Sequence, residues 1–308
     1  MRLNEAASIA GDAQAAEAVQ STRARRTRHA REPAVKFADF CRCTVISFAC
    51  VWLTNAIADE PSTAPDVGAS PNASAASADP WKVSIGPALM VSPKYPGSRA
   101  FQVLPLPSLD ISYDDRIFSQ GLDVLGINLL KGPAYHFGTA ISFDFQSRNE
   151  SDDPRLHGLG NVHYGPKLKV FADYSVSLLT GSVAAYQDIA GTGQGLLVSG
   201  DLVANMPLTS KLLVSVGPGV TWANAVYNRT LFGVSASQSA ASGLPVYDTS
   251  SGIRDVHLNT YVSYDFSKKW VGSVSLTAGR LEHNAGHSPI TEQRTELNFL
   301  AAVNYRFK

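Results

Sequence analysis

The chain has 308 residues, which is enough for one large domain or two small ones. Its 26 Lys and Arg residues balance 26 Asp and Glu residues, so no net charge attracts nucleic acid or an anionic lipid surface. The three cysteines, Cys41, Cys43 and Cys50, lie in one apolar run. The rest of the chain has no cysteine, which excludes from it a disulfide framework, a thiolate nucleophile and a Cys-ligated metal.

The N-terminal region has the three parts of a secretory signal peptide. A long basic stretch comes first, an apolar run follows at residues 43–53, and Ala56-Ile57-Ala58 forms an A-x-A cleavage site. The apolar run is shorter than the roughly 20 residues that a transmembrane helix needs. We therefore predict a leader over residues 1–58, in which either the signal is an extended one or translation starts after Met1.

Residues 59–80 consist mainly of Ala, Ser, Pro and Asp. Such a segment cannot bury enough apolar surface to offset the entropy lost on ordering. We predict a disordered linker here, followed by a single domain over residues 81–308.

After Pro80 no segment has an apolar repeat of 3.6 residues, and no apolar run reaches the length of a transmembrane helix. Instead, runs of roughly ten to fourteen residues alternate between apolar and polar or small positions. Strands of a soluble sandwich are typically about five or six residues long, whereas longer strands suit a tilted bilayer crossing. The clearest apolar row ends the chain and consists of Leu297, Phe299, Ala301, Val303, Tyr305 and Phe307.

The connections between these runs alternate between short and long. Residues 209–211 and 267–269 form short turns, whereas residues 148–161, 225–251 and 282–294 form long loops. Outer-membrane barrels have this rhythm, with short turns in the periplasm, long loops outside and aromatic girdles at the strand ends. The fold class predicted is all-β: a transmembrane antiparallel up-and-down β-barrel in the bacterial outer membrane. The aromatic residues at predicted strand ends are Trp222, Tyr264, Phe266, Trp270, Tyr305 and Phe307.

The number of strands needs one further inference. The alternating runs number eleven by inspection, but bacterial single-chain barrels have an even number of strands. We predict twelve, because residues 115–130 can hold two strands hinged near Gly121. Ten strands is the alternative, if an early segment lies outside the wall.

Several short motifs occur along the body of the chain: Tyr95-Pro96-Gly97-Ser98, Pro105 with Pro107, Leu156-His157-Gly158-Leu159-Gly160, Phe232-Gly233-Val234, Ser242-Gly243-Leu244-Pro245-Val246-Tyr247 and Ser288-Pro289-Ile290. In this order they resemble the MipA/OmpV family of outer-membrane proteins, and the likeness runs from Trp81 to Phe307. Leu231 departs from the family pattern, which has an aromatic residue before Phe-Gly-Val.

The resemblance implies a function. One branch of the family is named for an MltA-interacting scaffold that links a murein hydrolase to a murein synthase. We therefore expect this barrel to anchor or recruit murein-remodelling enzymes; the alternatives are a small-solute pore or a surface adhesin using residues 225–251. Expected partners are outer-membrane lipid and lipopolysaccharide, the barrel-assembly machinery through Tyr305 and Phe307, and the murein hydrolase and synthase, but not nucleic acid.

No motif in the chain predicts catalysis or a cofactor. His283 and His287, beside Glu282, have the spacing of metal ligands on a helix, but the Gly and Pro residues around them indicate a loop. Residues 191–195, Gly-Thr-Gly-Gln-Gly, resemble a phosphate-binding loop but lack a following Lys-Ser/Thr, so we interpret them as a hairpin loop. There is no G-x-S-x-G motif. We predict a protein that is not an enzyme and has no catalytic, cofactor-binding or metal site.

Charged residues fall within the predicted strands. We interpret them as a polar, hydrated lumen whose charges satisfy one another, and a solute path lined by both signs is the alternative. These residues are Asp144, Asp173, Asp201, Asp255, Asp265, Arg254 and Arg280.

Overall fold

A computed structural model describes residues 80–307, which form a closed barrel of twelve antiparallel strands. The leader, most of the linker and Lys308 lie outside the described residues. The strands are β1 (Trp81–Pro93), β2 (Phe101–Tyr113), β3 (Ile117–Gln120), β4 (Asp123–Lys131), β5 (Tyr135–Ser142), β6 (Lys167–Val176), β7 (Leu179–Asp188), β8 (Leu196–Pro207), β9 (Leu212–Ala223), β10 (Gly252–Asp265), β11 (Trp270–Leu281) and β12 (Thr295–Arg306).

Each strand pairs with the next along the chain, and β12 closes the barrel by pairing with β1. The closing ladder places Ala302 opposite Ala88 and Leu300 opposite Met90. β3 and β4 form a hairpin whose turn contains Gly121 at φ 60°, a left-handed conformation that glycine adopts readily. The predicted fold class, the twelve strands and the hinge near Gly121 are all confirmed.

The two ends of the barrel differ. Five connections of seven or more residues lie at one end, which we call the loop end: 94–100, 143–166, 189–195, 224–251 and 282–294. The connections at the opposite end, which we call the turn end, are short. Both ends of the described chain lie at the turn end, because β1 starts there and β12 finishes there.

Apolar side chains cover the outside of the wall. Successive strand residues point to opposite faces, so the row that contains Phe299, Val303 and Tyr305 faces outward together with its β1 partners. Val183, for example, is 56% exposed and Leu202 is 52% exposed. In water such a surface would promote aggregation, whereas in a bilayer it meets lipid.

Aromatic rings form a girdle at the turn end. Tyr305 packs edge-on against Trp270 at 5.2 Å between ring centroids and against Phe307 at 4.9 Å. Tyr264 and Phe266 pack together in the same way at 5.3 Å. The predicted girdle residues therefore lie at strand ends, with Trp222 alone among them at the loop end.

We expect replacement of both Tyr305 and Phe307 by Ser to impair insertion, because the closing strand loses two rings of the girdle and the C-terminal aromatic signal. The measurement is the amount of heat-modifiable barrel in the outer-membrane fraction. The matched control replaces Tyr264 and Phe266, an aromatic pair at the same end but on an internal strand. Equal membrane yields for the Tyr305/Phe307 variant and the wild type would refute the assembly role.

Two predicted runs are shorter than the alternation suggests. β5 ends at Ser142 instead of continuing through Phe145, whose φ of 53° is incompatible with a strand. β6 begins at Lys167, whereas Val162 forms only an isolated bridge with Arg148. Residues 143–166 therefore form a longer connection than predicted.

The loop end also contains helices that the sequence analysis missed: α1 (Ala225–Phe232), α2 (Ala236–Ser242) and α3 (His283–Gly286), together with a 3₁₀ turn at Pro154–Leu156. α1 and α2 have clear starting signals. The Asn224 side chain accepts a hydrogen bond from the Tyr227 amide, and Ser235 forms a capping box with Gln238. Within residues 80–307 no helix is long and apolar enough to cross a bilayer.

Candidate functional site

The long connections fold together into what we call the loop cap. It consists of two clusters of buried side chains contributed by connections and strand ends that are far apart in sequence. One cluster contains Val162, Leu197, Ala223, Tyr227, Leu231, Phe232, Leu281 and Ala285, and the other contains Tyr95, Leu156, Leu159, Val234 and Ile290. Leu231, where the family has an aromatic residue, is a packed member of this cap.

Arg148 ties three parts of the loop cap together. Its guanidinium donates hydrogen bonds to the carbonyl oxygens of Leu231, at 3.0 Å, and Leu159, at 3.4 Å. The side chain is almost fully buried, and this burial lowers the pKa of Arg148 to about 10, so it remains charged at neutral pH. A buried cation bonded to two segments holds them in a fixed arrangement.

Tyr227 links the loop cap to the barrel wall. Its hydroxyl donates to Gln146 Oε1 at 2.5 Å and accepts from Arg254 Nη1 at 2.8 Å. Burial raises the pKa of Tyr227, which keeps the phenol protonated and able to donate. The cap is therefore joined by hydrogen bonds to the wall below it.

Tyr95 makes a similar connection between the first and last loops. Its hydroxyl donates to Glu292 at 2.7 Å, and Arg155 forms an ion pair with the same carboxylate at 3.0 Å. Burial, together with the neighbouring Glu292, raises the pKa of Tyr95. Three of the five long connections thus meet at one carboxylate.

Below the cap, a chain of polar side chains crosses the lumen. A bulge between Ile253 and Asp255 lets both Arg254 and Asp255 point inward, where they pair at 2.5 Å. His257 bridges Asp255, at 2.8 Å, and Asp201, at 2.9 Å. Its imidazole joins β10 to β8 across the intervening strand β9.

Two lysines occupy the opposite part of the lumen. Lys167 is almost fully buried and pairs with Asp144, and Lys169 pairs with Asp123 at 2.7 Å. The Lys169 ammonium also lies 5.2 Å from the centre of the Phe171 ring, within the range of a cation–π contact. These pairs neutralise much of the luminal charge locally.

A cavity of about 630 Å³ occupies the lumen toward the turn end, and we call it the cup. Lys82 and Asp115, at the turn-end rim, line its mouth. A second cavity of about 380 Å³ lies under the loop cap and shares Lys169, Tyr186 and Asp201 with the cup. The two cavities therefore adjoin along the inner wall of the barrel.

The predicted luminal charges separate into three groups. Asp173, Asp201, Arg254 and Asp255 point inward, and Asp265 pairs with Arg306 at 2.8 Å near the turn end. Asp144 also lines the lumen but lies beyond the end of β5 instead of within a strand. The prediction for Arg280 was wrong, because Arg280 pairs with the outward-facing Val256, faces outward and reaches toward Glu282.

The structure also locates the other residues considered for chemistry. His283 begins the single helical turn of α3, and His287 caps the C-terminal end of that turn, where the sequence indicated a loop. His287 Nδ1 contacts the His283 carbonyl at 2.8 Å. Over the described range 80–307, no three His, Cys, Asp or Glu side chains are grouped to hold a metal. Residues 191–195 belong to the connection between β7 and β8, and buried Gln194 donates from it to the Gln146 carbonyl.

Sequence reasoning missed the residues that build the cap. Arg148, Gln146 and Tyr227 carry no local motif, because their partners are 11 to 108 residues away. The capping residues Asn224 and Ser235 are the signals that could have revealed α1 and α2. His257 could not be assigned, because its role depends on the register of three strands.

Residues 85–307 match the family model described as MltA-interacting protein MipA. No curated protein sequence matches the chain.

Solved outer-membrane barrels resemble the structure at low identity. The OmpF complex of Salmonella typhi with daunomycin is 9% identical, with 74% of this chain and 96% of that chain covered and a TM-score of 0.34. The channel DcaP of Acinetobacter baumannii is also 9% identical, with coverages of 74% and 96% and a TM-score of 0.31. OmpT of Vibrio cholerae is 8% identical, with coverages of 76% and 100% and a TM-score of 0.29.

The family match covers most of the chain and includes the whole barrel beyond the start of β1. Together with the outward apolar surface and the girdle, it places the protein in the bacterial outer membrane. The chain belongs to the MltA-interacting protein MipA family.

Proposed function

We propose that this protein is a non-enzymatic outer-membrane anchor that recruits murein-remodelling enzymes at its periplasmic end. The observation that carries the proposal is the asymmetry of the barrel, which has a packed cap at the loop end and an open cup at the turn end. Outer-membrane barrels place short turns in the periplasm and long loops outside. The accessible lumen therefore faces the compartment that contains murein.

The periplasmic surface has features that suit a protein partner. Leu178 and Leu208 lie at the tips of two turns and are 50% and 60% exposed. Lys211, Lys268 and Lys269 are exposed on the same end. Exposed apolar side chains beside positive charge fit a partner with an apolar patch and acidic neighbours.

Site-specific photo-crosslinking tests this proposal. A photo-reactive amino acid at Leu178 or Leu208 is expected to capture a murein hydrolase or synthase in intact cells. The matched control carries the same group at Ser237, which is exposed on α2 of the loop cap. If neither turn position captures a murein enzyme, the recruitment function is wrong although the barrel stands.

The family description supports this choice, because the family is named for interaction with MltA. The loop proposed for an adhesin, residues 225–251, turns Tyr227, Leu231 and Phe232 into the cap instead of presenting them outward. The structure therefore favours a partner at the periplasmic end over one at the cell surface.

A further inference from the structure

All twelve strands pair in a closed ring, but the hydrogen-bonded ladder between β2 and β3 is short. β2 pairs with β1 along its whole length but with β3 only over its last four residues, Asp110 to Tyr113. β3 ends at Gln120 and β4 begins at Asp123, so the hairpin that they form extends only part of the way along β2. Among the described residues, no backbone hydrogen bond joins residues 103–109 to a segment on the β3 side. We call residues 103–109 the β2 edge.

Two prolines lie on this edge with their nitrogens toward the gap. In an antiparallel ladder, alternate residues bond to the same neighbour. The Asp114 amide donates to Pro80, just before β1, whereas the Tyr113 carbonyl accepts from Arg116, just before β3. Odd-numbered residues of β2 therefore face the β3 side, and these include Pro105 and Pro107.

The prolines indicate that the gap is a built feature of the wall. An unpaired amide facing lipid is costly, and a barrel normally avoids this cost by complete closure. Proline has no amide to leave unpaired, which is why it occurs at strand edges. Two prolines on the unpaired side reduce the cost of keeping this edge open.

The luminal face behind the β2 edge carries an apolar patch next to the inward-facing Ser108. Cross-strand pairing places Leu106 opposite Ala88 and Leu104 opposite Met90, all facing inward. β12 continues this surface, since Ala302 pairs with Ala88 and Leu300 with Met90. We call these six residues the luminal patch.

Aromatic side chains stand on the other side of the gap. Phe143 follows the end of β5, and its ring lies 6.2 Å from that of Phe145. Phe145 in turn lies 5.2 Å from Tyr164, which is half exposed just before β6. Phe145 also lines a small cavity of about 40 Å³ together with Met90, Asp144, Gln146 and Glu296. Phe145 and Met90 therefore border the same, partly polar cavity.

We propose that the gap beside the β2 edge admits a linear acyl chain from the outer membrane onto the luminal patch. The outer surface at the gap meets lipid tails, and Phe145 and the six residues of the luminal patch are apolar. A hydrocarbon chain that enters therefore lies against apolar side chains, although polar groups border the site. A polar solute gains nothing from this route, because the charged lumen lies below the patch. The chain belongs either to a membrane lipid or to a free fatty acid.

Fluorescence quenching by brominated acyl chains tests the proposal. All four tryptophans of the full chain are replaced by Phe, and a single tryptophan is then introduced as L106W on the luminal patch. L109W, on the lipid-facing side of β2, is the positive control. S182W, which faces the cup from β7, is the luminal control. Each folded variant is placed in vesicles of brominated phosphatidylcholine.

We expect L106W to lose fluorescence to the extent that L109W does, while S182W keeps its intensity. A second arm adds brominated stearic acid to unbrominated vesicles. Quenching of L106W only in the second arm assigns the site to free fatty acids, and quenching in the first arm assigns it to membrane lipid. An unquenched L106W in both arms, or equal quenching of L106W and S182W, overturns the proposal.

Discussion

Replacing residues 225–251 with a short Gly-Ser connection is expected to turn a silent barrel into a conducting one. This segment supplies α1, α2 and four buried aromatic or aliphatic side chains of the loop cap, Tyr227, Leu231, Phe232 and Val234. Without it, the cavity of about 380 Å³ under the cap opens to the outside. In a planar bilayer the wild type should show no steps, whereas the shortened variant should show stepwise openings.

The control for this prediction is S237A, which changes an exposed residue of α2 and should leave the barrel silent. Heat-modifiable migration on a gel verifies that the shortened variant is folded. Stepwise openings of the wild type would contradict the closure and favour a small-solute pore. A folded, shortened variant that stays silent would show that other residues close the lumen.

Replacing Tyr227 with Ala is expected to cost about 3–5 kcal/mol of unfolding free energy, as for other large aromatic side chains removed from a core. The ring is fully buried, and its hydroxyl joins Gln146 to Arg254. Tyr227→Phe keeps the ring but removes the hydrogen bonds of the hydroxyl to both Gln146 and Arg254, and we expect a loss of about 1–3 kcal/mol.

Urea unfolding of the barrel in lipid vesicles measures both losses. Val226→Ala is the matched control, because Val226 is a neighbouring residue of α1 that is 47% exposed, and we expect a change within about 0.5 kcal/mol. If Tyr227→Ala and Val226→Ala have the same midpoint, the cap is not a packed unit. Equal losses for the Phe and Ala variants would assign the whole effect to the hydroxyl.

The wall of the barrel could be predicted from the sequence because its cause is local. Each strand needs alternate apolar residues to face lipid, so rows such as the one ending in Phe307 are visible without a structure. The hinge at Gly121 could be predicted in the same way, since an even strand number required one more turn. Phe145 and Val162 misled the prediction because they continue an apolar row after the ladder has ended.

The loop cap could not be predicted because its contacts are distant in sequence. Arg148 bonds to a carbonyl 83 residues away, and His257 reaches an aspartate 56 residues away. Alternation gives the side of the wall on which a residue lies but not which residue it meets there. The luminal charges were therefore predicted as a set, whereas their pairing was not.

The open edge of β2 shows a third case. Pro105 and Pro107 were visible in the sequence and suited an edge position. Only the register showed that the edge faces a gap, because β3 pairs with four residues of a much longer strand. The two prolines alone indicate an edge, and the pairing of β2 with β3 shows where that edge lies in the barrel.

The central claim is that the lumen opens to the periplasm and is closed to the outside. The barrel has no cysteine, so replacing Cys41, Cys43 and Cys50 with Ser allows a single cysteine to be introduced at a chosen position. Ser182→Cys lies in the cup and Ser237→Cys lies on the exposed surface of α2. In intact cells, a membrane-impermeant maleimide should label Ser237→Cys but not Ser182→Cys, and permeabilising the outer membrane should make both reactive. Equal labelling of the two cysteines in intact cells would contradict the account.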